Sequence, residues 1–117
     1  MIHRHGTTKR YSDSTRFNGT IHLVEVPSIE HGDIVEQTRN LLTLVEERLN
    51  EAGSDRRHLL MVQVYLTDMA DIDGFNSVWD NWVPQGCAPA RACIQVVALA
   101  RPGWKVEVVV TAAQLEI

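Results

Sequence analysis

Apolar residues recur along this chain in two rhythms, and the switches between them outline the elements. Arg16-Phe17 closes a first strand, Asn18-Gly19 is a hairpin turn signal, and Thr20 to Val26 reads as the returning strand, closed by Pro27. From Ile34 the spacing lengthens: Ile34, Thr38, Leu41, Leu42, Val45, Leu49 and Ala52 fall at steps of three and four, one face of an amphipathic helix. Asp33 is placed as its N-cap, with Glu36 three residues on as in a capping box, and Gly53 is its stop. Leu59 to Thr67 is a nearly continuous apolar run, the pattern of a strand covered on both faces. A second helix carries Phe75, Val78, Trp79 and Trp82, with Asp71 or Asp73 at its start and Pro84 and Gly86 at its end. Two strands follow, Arg91 to Leu99 and Trp104 to Ala113, joined by Ala100-Arg101-Pro102-Gly103. The predicted order is ββαβαββ.

That order gives an α+β fold with two helices, enough to cover one face of the sheet. The last strand is apolar on both faces, with Val106, Val108 and Val110 on one and Val109 on the other. A second apolar face without helices implies burial against other copies of the chain. The length of 117 residues fits one domain over 1–117. Hydrophobic residues at 44% and charged residues at 22% are ordinary for a globular protein. Net charge is −4, and the longest cationic run, Arg56-Arg57, is too sparse to follow a phosphate backbone, so no nucleic-acid partner is expected. No apolar stretch reaches the roughly 18 residues of a membrane span. The terminus Met1-Ile2-His3-Arg4-His5-Gly6 lacks a signal-peptide core and is expected to be mobile. The two cysteines, Cys87 and Cys93, read as free thiols of a reducing cytoplasm.

Candidate chemistry concentrates in the last two strands. Residues alternate faces along a strand, so Arg91 and Cys93 point the same way. A guanidinium among apolar neighbours is costly unless an anion meets it. Either a structural acid does so, with Glu107 or Glu25 available, or a carboxylate ligand does. A lone Glu107 on a strand is as readily a solvated charge as a catalytic one. No histidine pair has zinc-ligand spacing on one element, and no metal is expected. Trp79 and Trp82, three apart on a helix, read as core packing.

The sequence Pro89-Ala90-Arg91-Ala92-Cys93, followed by Lys105-Val106-Glu107, resembles the RidA (YjgF) family of reactive-intermediate imine deaminases. Asp68-Met69-Ala70-Asp71, Phe75-Asn76-Ser77-Val78-Trp79 and Glu51-Ala52-Gly53 support it in order and spacing, so the resemblance covers nearly the whole chain. It implies a chorismate-mutase-like fold and a homotrimer with sites in clefts between subunits. It also implies hydrolysis of 2-imino acids to 2-oxo acids and ammonia, without metal or organic cofactor. The alternative within the same fold is a non-catalytic trimer that binds a small carboxylate or a protein partner. Chorismate mutase activity is suggested by fold analogy alone.

Carried over residue by residue, Arg91 matches the arginine that holds the substrate carboxylate, and Glu107 the glutamate that positions or activates water. Cys93 matches a cysteine that lines the cleft and contacts ligand through its backbone. Tyr11 falls where the family has a cleft tyrosine, and Asn76 matches an asparagine at the second helix, either one of the substrate-binding set or a structural tie from helix to strand. Val24 and Glu25 stand where active members often carry Ser-Gly. Glutamate there fills space that glycine leaves open, and Glu25 would repel an anion, pair with Arg91 or replace a catalytic carboxylate. If the last two strands formed a plain hairpin, Arg91 would face residue 112 and lie about 16 Å from Glu107. They are therefore expected not to be simple neighbours, or to meet across a subunit boundary.

Overall fold

The structure, a computed structural model, describes residues 1–115. Eight elements run in order: β1 (His3–His5), β2 (Ser14–Phe17), β3 (Thr20–Glu25), α1 (Ile34–Glu51), β4 (Leu59–Leu66), α2 (Ile72–Trp82), β5 (Ala90–Gln95) and β6 (Val106–Ala113). They build one six-stranded mixed sheet in the order β1-β2-β3-β6-β4-β5. The β4–β5 pair is parallel, bridged by α2, and every other pair is antiparallel.

Local chemistry explains the clear elements. Asn18 and Gly19 both hold positive φ, 51° and 77°, as the tight β2–β3 turn requires. The Asp33 side chain accepts a hydrogen bond from the Glu36 N–H and caps α1, whose C-cap is Ala52, followed by Gly53 at φ 84°. The seven residues of α1 that are buried repeat at steps of three and four. They pack with Phe75 and Trp79 of α2 on the sheet face formed by Ile21, Leu23, Val62, Val64, Leu66, Val106, Val108 and Val110.

Among the described residues no helix covers the opposite sheet face. Val24, Met61 and Ile94 stand on it, 50%, 41% and 45% exposed. The expectation that β4 is covered on both faces therefore fails within one chain. Three other expectations are corrected. Strand β5 ends at Gln95 rather than Leu99, because β4 ends at Leu66: Val96 N–H makes a last bond to Leu66 O, and Val97 projects free. Strand β6 starts at Val106 rather than Trp104, because the buried Gln37 side chain takes the Lys105 N–H and donates to the Gly103 carbonyl. Neither Asp71 nor Asp73 caps α2 with a side-chain bond. Asp68 instead caps a short turn, Met69–Asp71, that runs into the helix. His3 and His5, expected in a mobile terminus, form edge strand β1 on β2. Three exposed polar residues carry no period from which to read a strand.

Candidate functional site

Strand β5 places Arg91 opposite Val62, whose side chain is buried on the helix side of the sheet. Arg91 therefore points toward α2, over the edge of the sheet. Its guanidinium carbon lies 5.3 Å from the Trp79 ring centroid and 5.7 Å from that of Phe75. Its Nη1 donates to Asn76 Oδ1 at 2.8 Å. This answers how an apolar strand tolerates the charge: ring faces attract the cation, and an amide oxygen ties one arm. Among the described residues no carboxylate lies within ion-pair distance of Arg91. Within one chain, neither Glu107 nor Glu25, its two candidate structural partners, meets it.

Cys93, opposite Val64, lies on the same side and packs against the core. Burial pushes its thiol up, against a smaller opposing pull from Arg91. A thiol held protonated is a poor nucleophile, consistent with a cleft-wall role.

Glu107 belongs to the other face. It sits opposite Tyr65 on β4, on the side without helices. Val62 is opposite both Arg91 on β5 and Val110 on β6. Glu107 thus lies three residues along and two strands across from Arg91. At strand spacings that is about 14 Å between backbones, with the side chains on opposite faces. The insertion of β4 between β5 and β6 confirms that the last two strands are not neighbours.

Glu107 instead joins Tyr11, Ser12, Asp13, Val24, Glu25, Val26, Ala100 and Trp104 around a cavity of about 450 Å³. Its carboxyl is pushed up by burial. Tyr11 is 63% exposed, on a loop whose backbone is held by the Thr8 side chain. Glu25 reaches the cavity from the end of β3, where its Oε2 meets Arg48 Nε at 3.6 Å. Burial pushes Glu25 up more than Arg48 pulls it down. Within one chain Glu25 pairs with Arg48 and not with Arg91.

The site residues named from sequence thus fall into two groups. Arg91, Cys93 and Asn76 share the β5 edge; Tyr11, Glu25 and Glu107 share the cavity. Sequence reasoning missed Arg48, which also binds Glu51 and lies near Glu47, and whose charge reads as one of many on a helix surface. It missed Gln37, a polar residue on the buried stripe of α1 that holds the loop before β6. It also missed Trp104, whose indole N–H is buried without a partner at the cavity wall. Only Gln37 left a signal, as a polar residue at a buried helical position. Among the described residues no group of three or more His, Cys, Asp or Glu side chains is arranged to hold a metal.

Residues 1–114 match the family model described as Endoribonuclease L-PSP. A RutC family protein of Haemophilus ducreyi is 40% identical over 114 residues, 97% of each chain. The crystal structure of NMB1025, a member of the YjgF protein family from Neisseria meningitidis, superposes with a TM-score of 0.96. It is 42% identical, over 100% of this chain and 98% of that one. A more distant relative, named 3-aminoacrylate deaminase RutC, from Acinetobacter baylyi, is 32% identical over 92 residues, 78% of this chain and 71% of its own.

Proposed function

Because the chain belongs to the RidA/YjgF family, we propose that it hydrolyses reactive 2-imino acids to 2-oxo acids and ammonia. The sites are clefts between the subunits of a cytoplasmic homotrimer. The observation that carries this reading is Arg91: a guanidinium held by rings and an amide, with no acid in reach among the described residues of its own chain. Such a group is prepared for a carboxylate from outside. A single chain cannot close on one small acid, because Arg91 and Glu107 are on opposite faces of the sheet. Arg91 of one subunit beside the cavity of the next supplies both ends, and the helix-free apolar face is the surface that such packing would cover.

In that cleft Arg91 holds the substrate carboxylate. Glu107 accepts a proton from water as its oxygen attacks the imine carbon. Protonated Glu107 then gives that proton to the carbinolamine nitrogen and takes the hydroxyl proton as ammonia leaves, giving the 2-oxo acid. Burial of Glu107 makes its carboxylate a stronger base than one in water. Tyr11 offers a hydroxyl to ligand or water, and Cys93 lines the wall. The imine is already electrophilic, so orientation and electrostatics suffice and no cofactor is invoked. A deaminase among the relatives supports the reaction class. The acid lining of the cavity, Asp13, Glu25 and Glu107, disfavours a phosphodiester backbone as ligand.

The test generates 2-imino acids with an amino-acid oxidase and follows their decay. Acceleration by the protein is expected, with loss in Arg91→Ala and Glu107→Gln. A decay rate untouched by the protein across small and large side chains would end this reading. A second reading, a trimer that binds small carboxylates without turnover, is favoured by Glu25, which stands at the cavity where active members often carry glycine. Saturable 2-oxo acid binding that is lost in Arg91→Ala, with no hydrolysis of any imine, would select it.

A further inference from the structure

Helix α2 presents three aromatic rings in a ladder. Phe75 and Trp79 stack at 5.8 Å between centroids, and Trp79 and Trp82 lie 5.7 Å apart. Their spacing of four and then three residues puts them on one face of the helix. A guanidinium lies over each end. Arg56 sits 5.9 Å above Trp82 and donates to the Trp82 carbonyl. Arg91 lies above Phe75 and Trp79, and nearer Trp79. Phe75 is fully buried and Trp79 is 6% exposed, so the rings are fixed by the core. The arginine they carry stands at the surface.

We propose that Trp79 is a positioning residue for Arg91, and that with Asn76 it decides which edge of the guanidinium meets a carboxylate. The proposal rests on the role given to Arg91 above. A long arginine side chain on an edge strand has many rotamers, and ordering it on binding costs affinity. The Trp79 face removes much of that freedom beforehand, since a ring attracts a cation at its face and leaves the in-plane N–H donors outward. Asn76 then engages Nη1, the only guanidinium nitrogen of Arg91 with a hydrogen bond among the described residues. The edge made by Nε and Nη2 stays open, with two parallel N–H donors matched to the two oxygens of a carboxylate. A lysine has neither a planar face to stack on the ring nor two donors fixed in one plane, so the aromatic seat and the choice of arginine belong together.

The experiment measures pyruvate affinity by calorimetry, and imine hydrolysis, for the intact protein and four variants. Trp79→Leu should weaken pyruvate binding about 5- to 30-fold and raise KM by a similar factor with little change in kcat. That is what about 1–2 kcal/mol of cation–ring attraction is worth. Trp79→Phe, which keeps a ring, should stay within about threefold of the parent. Trp82→Leu, on the same ladder but under Arg56, should lower the unfolding temperature and leave pyruvate affinity unchanged. Asn76→Ala, which leaves the core rings in place, should weaken binding if Trp79→Leu fails to fold. A pyruvate complex should show the carboxylate on Nε and Nη2 of Arg91. The inference is overturned if Trp79→Leu folds and binds like the parent, if Trp82→Leu weakens binding equally, or if the carboxylate sits on Nη1. These failures differ from failure of the proposed function, in which Arg91→Ala itself binds pyruvate normally.

Discussion

If the proposed reaction holds, the half-buried carboxyl of Glu107 ties activity to stability at a single residue. Its position in the folded protein raises it above an ordinary glutamate through desolvation. A carboxyl raised by folding binds its proton more tightly in the native state. Its contribution to stability is complete at acid pH and is lost as pH rises through the folded value. Glu107→Gln removes the charge and this dependence. At pH 7 the variant should unfold at the same temperature as the parent or a higher one, and the difference should vanish toward pH 4, as thermal melts across that range will show. Imine hydrolysis should fall about 100-fold or more, the usual worth of a positioned base. In the parent, kcat/KM should rise with pH through a midpoint above the ordinary glutamate range, because only the carboxylate accepts the proton.

Among the elements, Gln37 and Asp33 do different work on the same helix. Gln37 is fully buried, and its amide bonds the His31 and Gly103 carbonyls and the Lys105 N–H. It sets where β6 begins, and so the height of Trp104 and Glu107 at the cavity. Gln37→Leu keeps the volume but leaves these groups buried without partners, at about 1–3 kcal/mol each for any that water does not reach. A loss of about 3 kcal/mol in urea unfolding, together with reduced turnover, is the expected result. Asp33→Ala removes only a cap, costs about 1 kcal/mol and leaves turnover intact. The neighbouring Gly103 has no room for a side chain, since a Cβ there would meet Glu30 O at 2.1 Å.

At the scale of the whole molecule, one face of the sheet is bare of helices among the described residues. Its exposed Val24, Met61 and Ile94 suit a subunit interface rather than a wet surface. The proposed assembly has a sedimentation mass about three times the 13.2 kDa of the chain. Met61→Glu should shift it to monomer and abolish hydrolysis. A sharper check mixes two inactive proteins, Arg91→Ala and Glu107→Gln, after unfolding and refolding together. If each cleft takes its arginine from one subunit and its glutamate from the next, on the order of a quarter of the clefts regain both. Sites built within one chain would regain none.

Periodicity, turn chemistry and capping made much of this fold legible in one dimension. The β2–β3 turn, α1 with its Asp33 cap, and the alternation of β6 follow from interactions within a few residues. The Arg91–Cys93 and Lys105–Glu107 fragments carried the family in the same local way, since each is a short motif. Other features depended on partners distant in the chain. The end of β5 was decided by the end of β4, and the start of β6 by an amide on α1. Edge strand β1 has no apolar signal because neither of its faces is covered. The seat of Arg91 needed α2 to pass across the β5 edge, and the cation of Glu25 needed α1 to bring Arg48 beside β3. Strand order and register carry no local signature, yet the first put β4 between Arg91 and Glu107 and the second turned them to opposite faces. By itself the sequence determined the family and, through that resemblance, nominated Arg91 for a carboxylate and Glu107 for water. Only the tertiary structure decided that one chain cannot bring them together, because two strand spacings and a sheet separate them.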